Sequence, residues 1–219
     1  AGKSVVLQLG KEKGSFDSGE VTRINVVLER NVDGSLTFYG LDTTNFSENG
    51  GLYNWHKIDN FDYSKDHVFE FVEENGMWVP AIDDMALSDD EASNTVYNTF
   101  VTAMSEQSDG KTTVSFAPND FPEAKDNLIV KNIRFAEKKD ESSDDDLTGW
   151  TLGETSVITG NSETGWTLNF CGARFENYGS SYTANINVSE LRIQFNLSEL
   201  QAGKSVVLQL GKEKGSFDS

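Results

Sequence analysis

Four aromatic residues, Tyr39, Tyr53, Trp55 and Trp78, supply the chemistry this sequence offers most directly. An indole or phenol presents a flat apolar face with one polar handle, which suits stacking on the flat C–H face of a sugar ring. Tyr53 and Trp55 stand in a Gly- and Asn-rich stretch, residues 40–64, which is expected to be a long loop. They are the first candidates for a ligand platform, with Trp78 and Tyr39 behind them. Trp78 adjoins Val79 in an expected hairpin and suits core and surface equally. Trp150 and Trp166 fall in regular apolar alternation and are assigned to the core.

Other chemistries are poorly supplied. Cys171 is the single cysteine, so no intrachain disulfide can form, and its apolar setting after Phe170 points to a buried inert thiol. Only His56 and His67 remain for a Cys/His metal site. Asp83-Asp84 and Asp89-Asp90-Glu91 have calcium-type ligands without EF-hand spacing, and a chain this acidic places carboxylates side by side by chance. Glu70, Glu73 and Glu74 are expected to be solvated strand and turn charges. The Gly-x-Ser-x-Gly, His-Glu-x-x-His and Gly-rich phosphate motifs are absent. No catalytic residue, metal or cofactor is assigned. The sequons at Asn45, Asn187 and Asn196 occur at a frequency chance explains.

Charge limits the partners. The chain has 36 acidic against 18 basic residues, a net charge of −18, and no Lys/Arg cluster to neutralise phosphates. Nucleic acid and anionic membrane surfaces are therefore excluded. There is no run of eighteen apolar residues, so membrane insertion is not expected. A mature segment of a larger exported bacterial protein, extracellular or on the cell surface, fits this composition.

The elements that must position the aromatics are strands. Residues 1–18 read AGKSVVLQLGKEKGSFDS, and residues 202–219 repeat them without a substitution. Within each copy Val5, Leu7 and Leu9, or Val206, Leu208 and Leu210, alternate as one face of a half-buried strand. One fold offers one place for such a strand. Two hairpins follow from turn chemistry: residues 21–30 with 36–39 around Asp33-Gly34, and residues 67–72 with 77–82 around Asn75-Gly76. Pro80 puts the latter's second strand near an edge or bulge. Residues 88–105 carry both a capping box (Ser88, Glu91) with a stripe at Ala92, Val96 and Phe100 and a dense β-branched run; strand is the expected state. Residues 112–116, 128–135, 150–152, 155–158, 166–170, 182–188 and 191–197 read as further strands.

Residues 137–146, EKKDESSDDD, lack any large apolar residue and read as an acidic linker. A linker in mid-chain implies a permuted frame. The natural module would run over about 147–219 and continue through 19–136, all of residues 1–219 forming a single domain.

About a dozen short strands with little helix predict an all-β, two-sheet antiparallel β-sandwich with one strand duplicated at both termini. Three stretches resemble the concanavalin A-like jelly rolls of bacterial surface proteins and polysaccharide-degrading enzymes. They are Leu191 to Leu200 leading into the repeat, the His67 to Asp84 strand pair, and Asp126 to Phe135. The resemblance implies a carbohydrate-binding module whose ligand is a polysaccharide or other glycan. Enzymes of that fold carry a Glu-x-Asp-x-x-Glu strand, which is absent here, so a glycoside hydrolase ranks third. A structural repeat of a surface adhesin or self-assembling fibre, without a glycan site, ranks second. The duplicated strand further implies that other copies of the chain are partners, through strand exchange.

Overall fold

In a computed structural model the described residues are 23–41, 52–87, 91–106, 110–118, 128–138, 150–153, 156–170 and 180–211. Strand-forming alternation organises nearly all of them. The strands are β1 (Arg23–Arg30), β2 (Leu36–Leu41), β3 (Leu52–Ile58), β4 (His67–Glu74), β5 (Met77–Ile82), β6 (Met85–Ala86), β7 (Thr112–Pro118) and β8 (Ile129–Glu137). They continue as β9 (Trp150–Thr151), β10 (Val157–Asn161), β11 (Gly165–Asn169), β12 (Ser180–Ala184), β13 (Leu191–Asn196) and β14 (Lys204–Gly211). Among the described residues one helix, α1 (Glu91–Ser105), lies between β6 and β7.

The strands form two seven-stranded sheets that pack as a sandwich. Sheet A has the order β3-β2-β1-β14-β7-β12-β9 and sheet B the order β10-β11-β8-β13-β4-β5-β6. Every pairing is antiparallel. Sheet A turns Val26, Leu28, Phe38, Val114 and Phe116 inward; sheet B turns Phe69, Phe71, Val130, Phe135, Ile193 and Phe195 to meet them. Phe135 and Trp166 of sheet B interlock with Trp150 and Tyr182 of sheet A, the Phe135 and Tyr182 rings stacking at 4.5 Å. Trp166 is fully buried and Trp150 packs against the same cluster, as the alternation implies.

The C-terminal copy of the repeat stands in the middle of sheet A. The C-terminal copy, β14, lies between β1 and β7, with Val206, Leu208 and Leu210 in the core. Leu208 opposes Val26 on one side and Phe116 on the other. The N-terminal copy, residues 1–18, lies outside the described residues.

Turn chemistry agrees with the hairpins. Asn75 and Gly76 both take positive φ (52° and 78°), as a tight primed turn requires. The β1–β2 turn closes with Asn31 N–H donating to Ser35 O, and Gly34 supplies the left-handed residue at φ 85°. Pro80 sits one strand in from the sheet B edge; only the two-residue β6 lies beyond it.

Two expectations are overturned. Residues 91–105 are helical, because Tyr97, Phe100, Val101 and Met104 recur at helical spacing and all enter the core. That burial outweighs the β-branched composition, and Thr99 fits by donating its hydroxyl to Thr95 O. Residues 52–58 are not loop but edge strand β3, paired along the length of β2. A β-bulge between Tyr39 and Gly40 hid the alternation. The expected linker is partly built into the fold. Glu137 ends β8, and Lys138 N–H donates to Glu190 O while its ammonium bonds the carbonyls of Phe71 and Ser189. Residues 139–146 lie outside the described residues.

Candidate ligand-binding site

Register decides where the predicted aromatics fall. Tyr39 of β2 stands directly opposite Trp55 of β3, at the outer edge of sheet A. Tyr39 also opposes Val27, whose neighbours Val26 and Leu28 face the core, so positions 39 and 55 belong to the outer face. The bulge skips Asn54 and sets position 53 against Gly40, on the inward register. Tyr53 and Trp55 therefore occupy opposite faces of the edge strand. The side chains of Tyr39, Tyr53 and Trp55 lie outside the described residues. Trp78 is on β5 in the other sheet, partly buried against the core, with the Lys138 ammonium 5.3 Å from its ring centre. The four candidates thus divide into an opposed pair, one inward position and one residue in sheet B.

Sheet B supplies a site that spacing along the chain did not reveal. β13 turns Leu191, Ile193 and Phe195 inward, so Arg192 and Gln194 point out. Arg192 opposes Ala136 of β8, and Gln194 opposes Arg134 of β8 and Val68 of β4. These residues with Glu137 line an open cavity of about 290 Å³. Its lining is apolar at Val68 and Ala136 and charged at Arg134, Arg192 and Glu137. Sequence reasoning found no basic cluster because Arg134 and Arg192 come from strands far apart in the chain.

Glu70 on β4 lies beside this cavity. It is not a solvated charge: it is 6% exposed, with Arg192 Nε at 3.7 Å and Lys138 Nζ at 3.6 Å. Withdrawing a carboxylate from water is costly, and facing cations offset part of that cost. On the far side of Gln194, Asp66 gathers three amides: Asn132 Nδ2 at 2.8 Å, Asn196 Nδ2 at 3.0 Å and Gln194 Nε2 at 3.2 Å. Asn196 is thereby buried and engaged, and Asn187 bonds Ser105 O and Ser189, so neither sequon presents a free amide. Asn45 lies outside the described residues.

His67 and Asp83 form the one pair with the look of acid–base machinery. His67 Nδ1 is 2.7 Å from Asp83 Oδ2, but Nε2 is 3.0 Å from Asp62 O, and the ring is 5% exposed with Phe61 stacked on it at 4.0 Å. Both nitrogens are spent on the fold. Asp83 Oδ1 also accepts Val68 N–H, which ties the β5–β6 turn to β4. Asp83 is thus engaged as a turn residue; Asp89, Asp90 and Cys171 lie outside the described residues. Among the described residues no group of three or more His, Cys, Asp or Glu could hold a metal ion. None of their helices is long and apolar enough to cross a membrane.

Comparison with family models, curated proteins and solved structures returns no match.

The arrangement can hold a ligand at two places: through stacking at the β2–β3 edge, and through ionic and apolar contact in the β8–β13 cavity.

Proposed function

We propose that the protein is a non-catalytic carbohydrate-binding β-sandwich of the extracellular or cell-surface type, related in kind to the concanavalin A-like modules, and that its glycan stacks at the β2–β3 edge. One observation carries this reading: Tyr39 and Trp55 are cross-strand partners on the outer register of an edge pair. Opposed aromatics on one face make a flat platform, and flat apolar area with polar tips suits a polysaccharide chain. In an affinity-gel series over neutral and acidic polysaccharides, Trp55→Ala is expected to lose retention with a nearly unchanged melting temperature. A core Trp→Ala costs about 3–5 kcal/mol. A large fall in melting temperature would return Trp55 to the core and remove the platform.

The same chain is read as prone to strand exchange. Two identical strands compete for the place between β1 and β7. The C-terminal copy reaches it from β13 through residues 197–203, and the N-terminal copy precedes β1 directly. Side-chain packing gives no preference between identical sequences, so connectivity decides. A surplus copy that finds the same place in a neighbouring molecule makes a head-to-tail contact, which builds rings or fibres. Light scattering over a concentration series should show association that deletion of residues 1–18 abolishes, leaving a folded monomer. A full-length chain that stays monomeric at high concentration ends the exchange reading. Association without retention on any glycan favours a structural repeat of a surface fibre.

A further inference from the structure

We infer that the cavity between β8 and β13 binds a carboxylate carried on a saccharide, such as a uronate residue, with Arg134 as the group that meets it. The saccharide half rests on the carbohydrate reading above; the carboxylate half does not.

Unspent hydrogen-bonding capacity is the first reason. Arg134 Nε and Arg192 Nε are both buried, and neither donates a hydrogen bond. Buried donors are nearly always satisfied; Arg192 Nε at least faces Glu70 at 3.7 Å, whereas Arg134 Nε has no acceptor among the described residues, and so calls for one. A guanidinium fork accepts a planar carboxylate better than it does a neutral group.

The balance of charge is the second reason. Glu70 already faces Arg192 and Lys138. Among the described residues no carboxylate pairs with Arg134, and Glu137, which also lines the cavity, makes no ion pair with either arginine. Arg134 is therefore the cation of the lining without an ion-pair partner among the described residues, which suits a single negative charge. A polyanion would meet the repulsion of a chain with net charge −18.

Shape is the third reason. The volume of about 290 Å³ is at the small end of ligand pockets, roughly 300–1,000 Å³. Val68 and Ala136 give the lining apolar surface for the C–H face of a ring, beside the charge of the arginines. The walls are held in place. Gln194 is fixed by Asp66 and by Asn132 O, both at 3.2 Å. Gly165 lets β11 come close to β8, since a Cβ there would lie 2.8 Å from Asn132 Cα.

The test is a titration of the full chain with D-glucuronate, D-glucose and acetate at constant ionic strength, read by backbone amide shifts. Glucuronate should saturate, with the largest shifts in β8 and β13, and glucose and acetate should each bind about tenfold more weakly, the loss of one charge-assisted contact or of the ring contacts. Arg134→Gln should weaken glucuronate by about tenfold or more, and Arg134→Lys by less, because charge without the fork remains. No saturation, or shifts confined to other strands, overturns the site. Glucose equal to glucuronate overturns the carboxylate, and acetate equal to glucuronate overturns the saccharide. If Arg134→Gln does not fold, the wild-type shift map and Arg134→Lys carry the decision. Gel retention is read through Trp55 and glucuronate through Arg134, so either reading can fail alone.

Discussion

On the outer face of sheet A, Val27, Thr113, Ser115, Ala117 and Val207 are between 0% and 6% exposed, and none carries a charge. On the outer face of sheet B, Glu70, Arg134, Arg192 and Gln194 stand together around an open cavity. The inner faces of the two sheets are made alike, largely from Phe, Leu, Ile and Val, in an alternation interrupted by bulges. The difference lies entirely in the other half of each pleat. Alternation fixes which residues enter the core, but leaves the outward positions free to be small and neutral or charged and concave. In this molecule the edge of sheet A holds the aromatic pair, and the middle of sheet B holds the ionic site.

The comparison breaks most sharply if a charge is moved across. Ala117→Arg puts a guanidinium where the outer face of sheet A is fully buried, and is expected to cost about 4 kcal/mol or more. The same residue at Val72, outward on the partly buried end of β4, should cost about 1 kcal/mol or less. Equal costs in urea denaturation would show that the two outer faces do not differ as described.

A smaller effect tests the charges of sheet B. Glu70→Gln keeps the shape but removes the carboxylate that faces Arg192 and Lys138. The cations would then face each other without compensation in a site largely closed to water, at a cost of about 1–3 kcal/mol. Lys138 retains its bonds to Phe71 O and Ser189 O, which keeps the loss below that of a broken core. A neutral or stabilising result would mean that the backbone carbonyls alone hold Lys138, and that Glu70 plays no part in shaping the cavity.

Legibility in the sequence followed the range of the interaction. The β4–β5 hairpin was readable because Asn75-Gly76 carries its own conformational requirement, and the strand character and inward face of β14 because Val206, Leu208 and Leu210 carry their own period. Helix α1 was misread because two local signals conflicted, and only the core could decide between them. The β2–β3 pair was obscured by one extra residue, Asn54, which shifts the period midway. The β8–β13 cavity was invisible for a different reason. Arg134, Arg192 and Glu70 are each unremarkable outward residues of alternating strands, and only the sheet order makes them neighbours. Glu70 was taken as solvated on the same ground, since its strand shows nothing of the two cations that face it.

The smallest effect concerns Tyr63, a partly buried phenol between β3 and β4. Tyr63 packs against the core beside the β1–β2 turn, donates its hydroxyl to Ser35 O at 2.9 Å, and lies under the Arg30 guanidinium at 4.2 Å. Burial pushes its ionisation up to about 12; Arg30 pulls it down and Asp33 adds a further upward push. The folded state thus holds the phenol proton more tightly than the unfolded chain, whose ordinary value is 10.0. Its contribution is complete below about pH 10 and is lost as the pH rises toward about 12. Tyr63→Phe should cost about 0.5–1.5 kcal/mol at neutral pH, the worth of one hydrogen bond. It should also flatten the fall in urea midpoint between alkaline and neutral solution relative to the parent. If the variant loses stability on the alkaline side as steeply as the parent does, another group carries that dependence. The phenol would then be sharing its proton with solvent in both states, and burial at the β1–β2 turn would be weaker than the hydrogen bond to Ser35 implies.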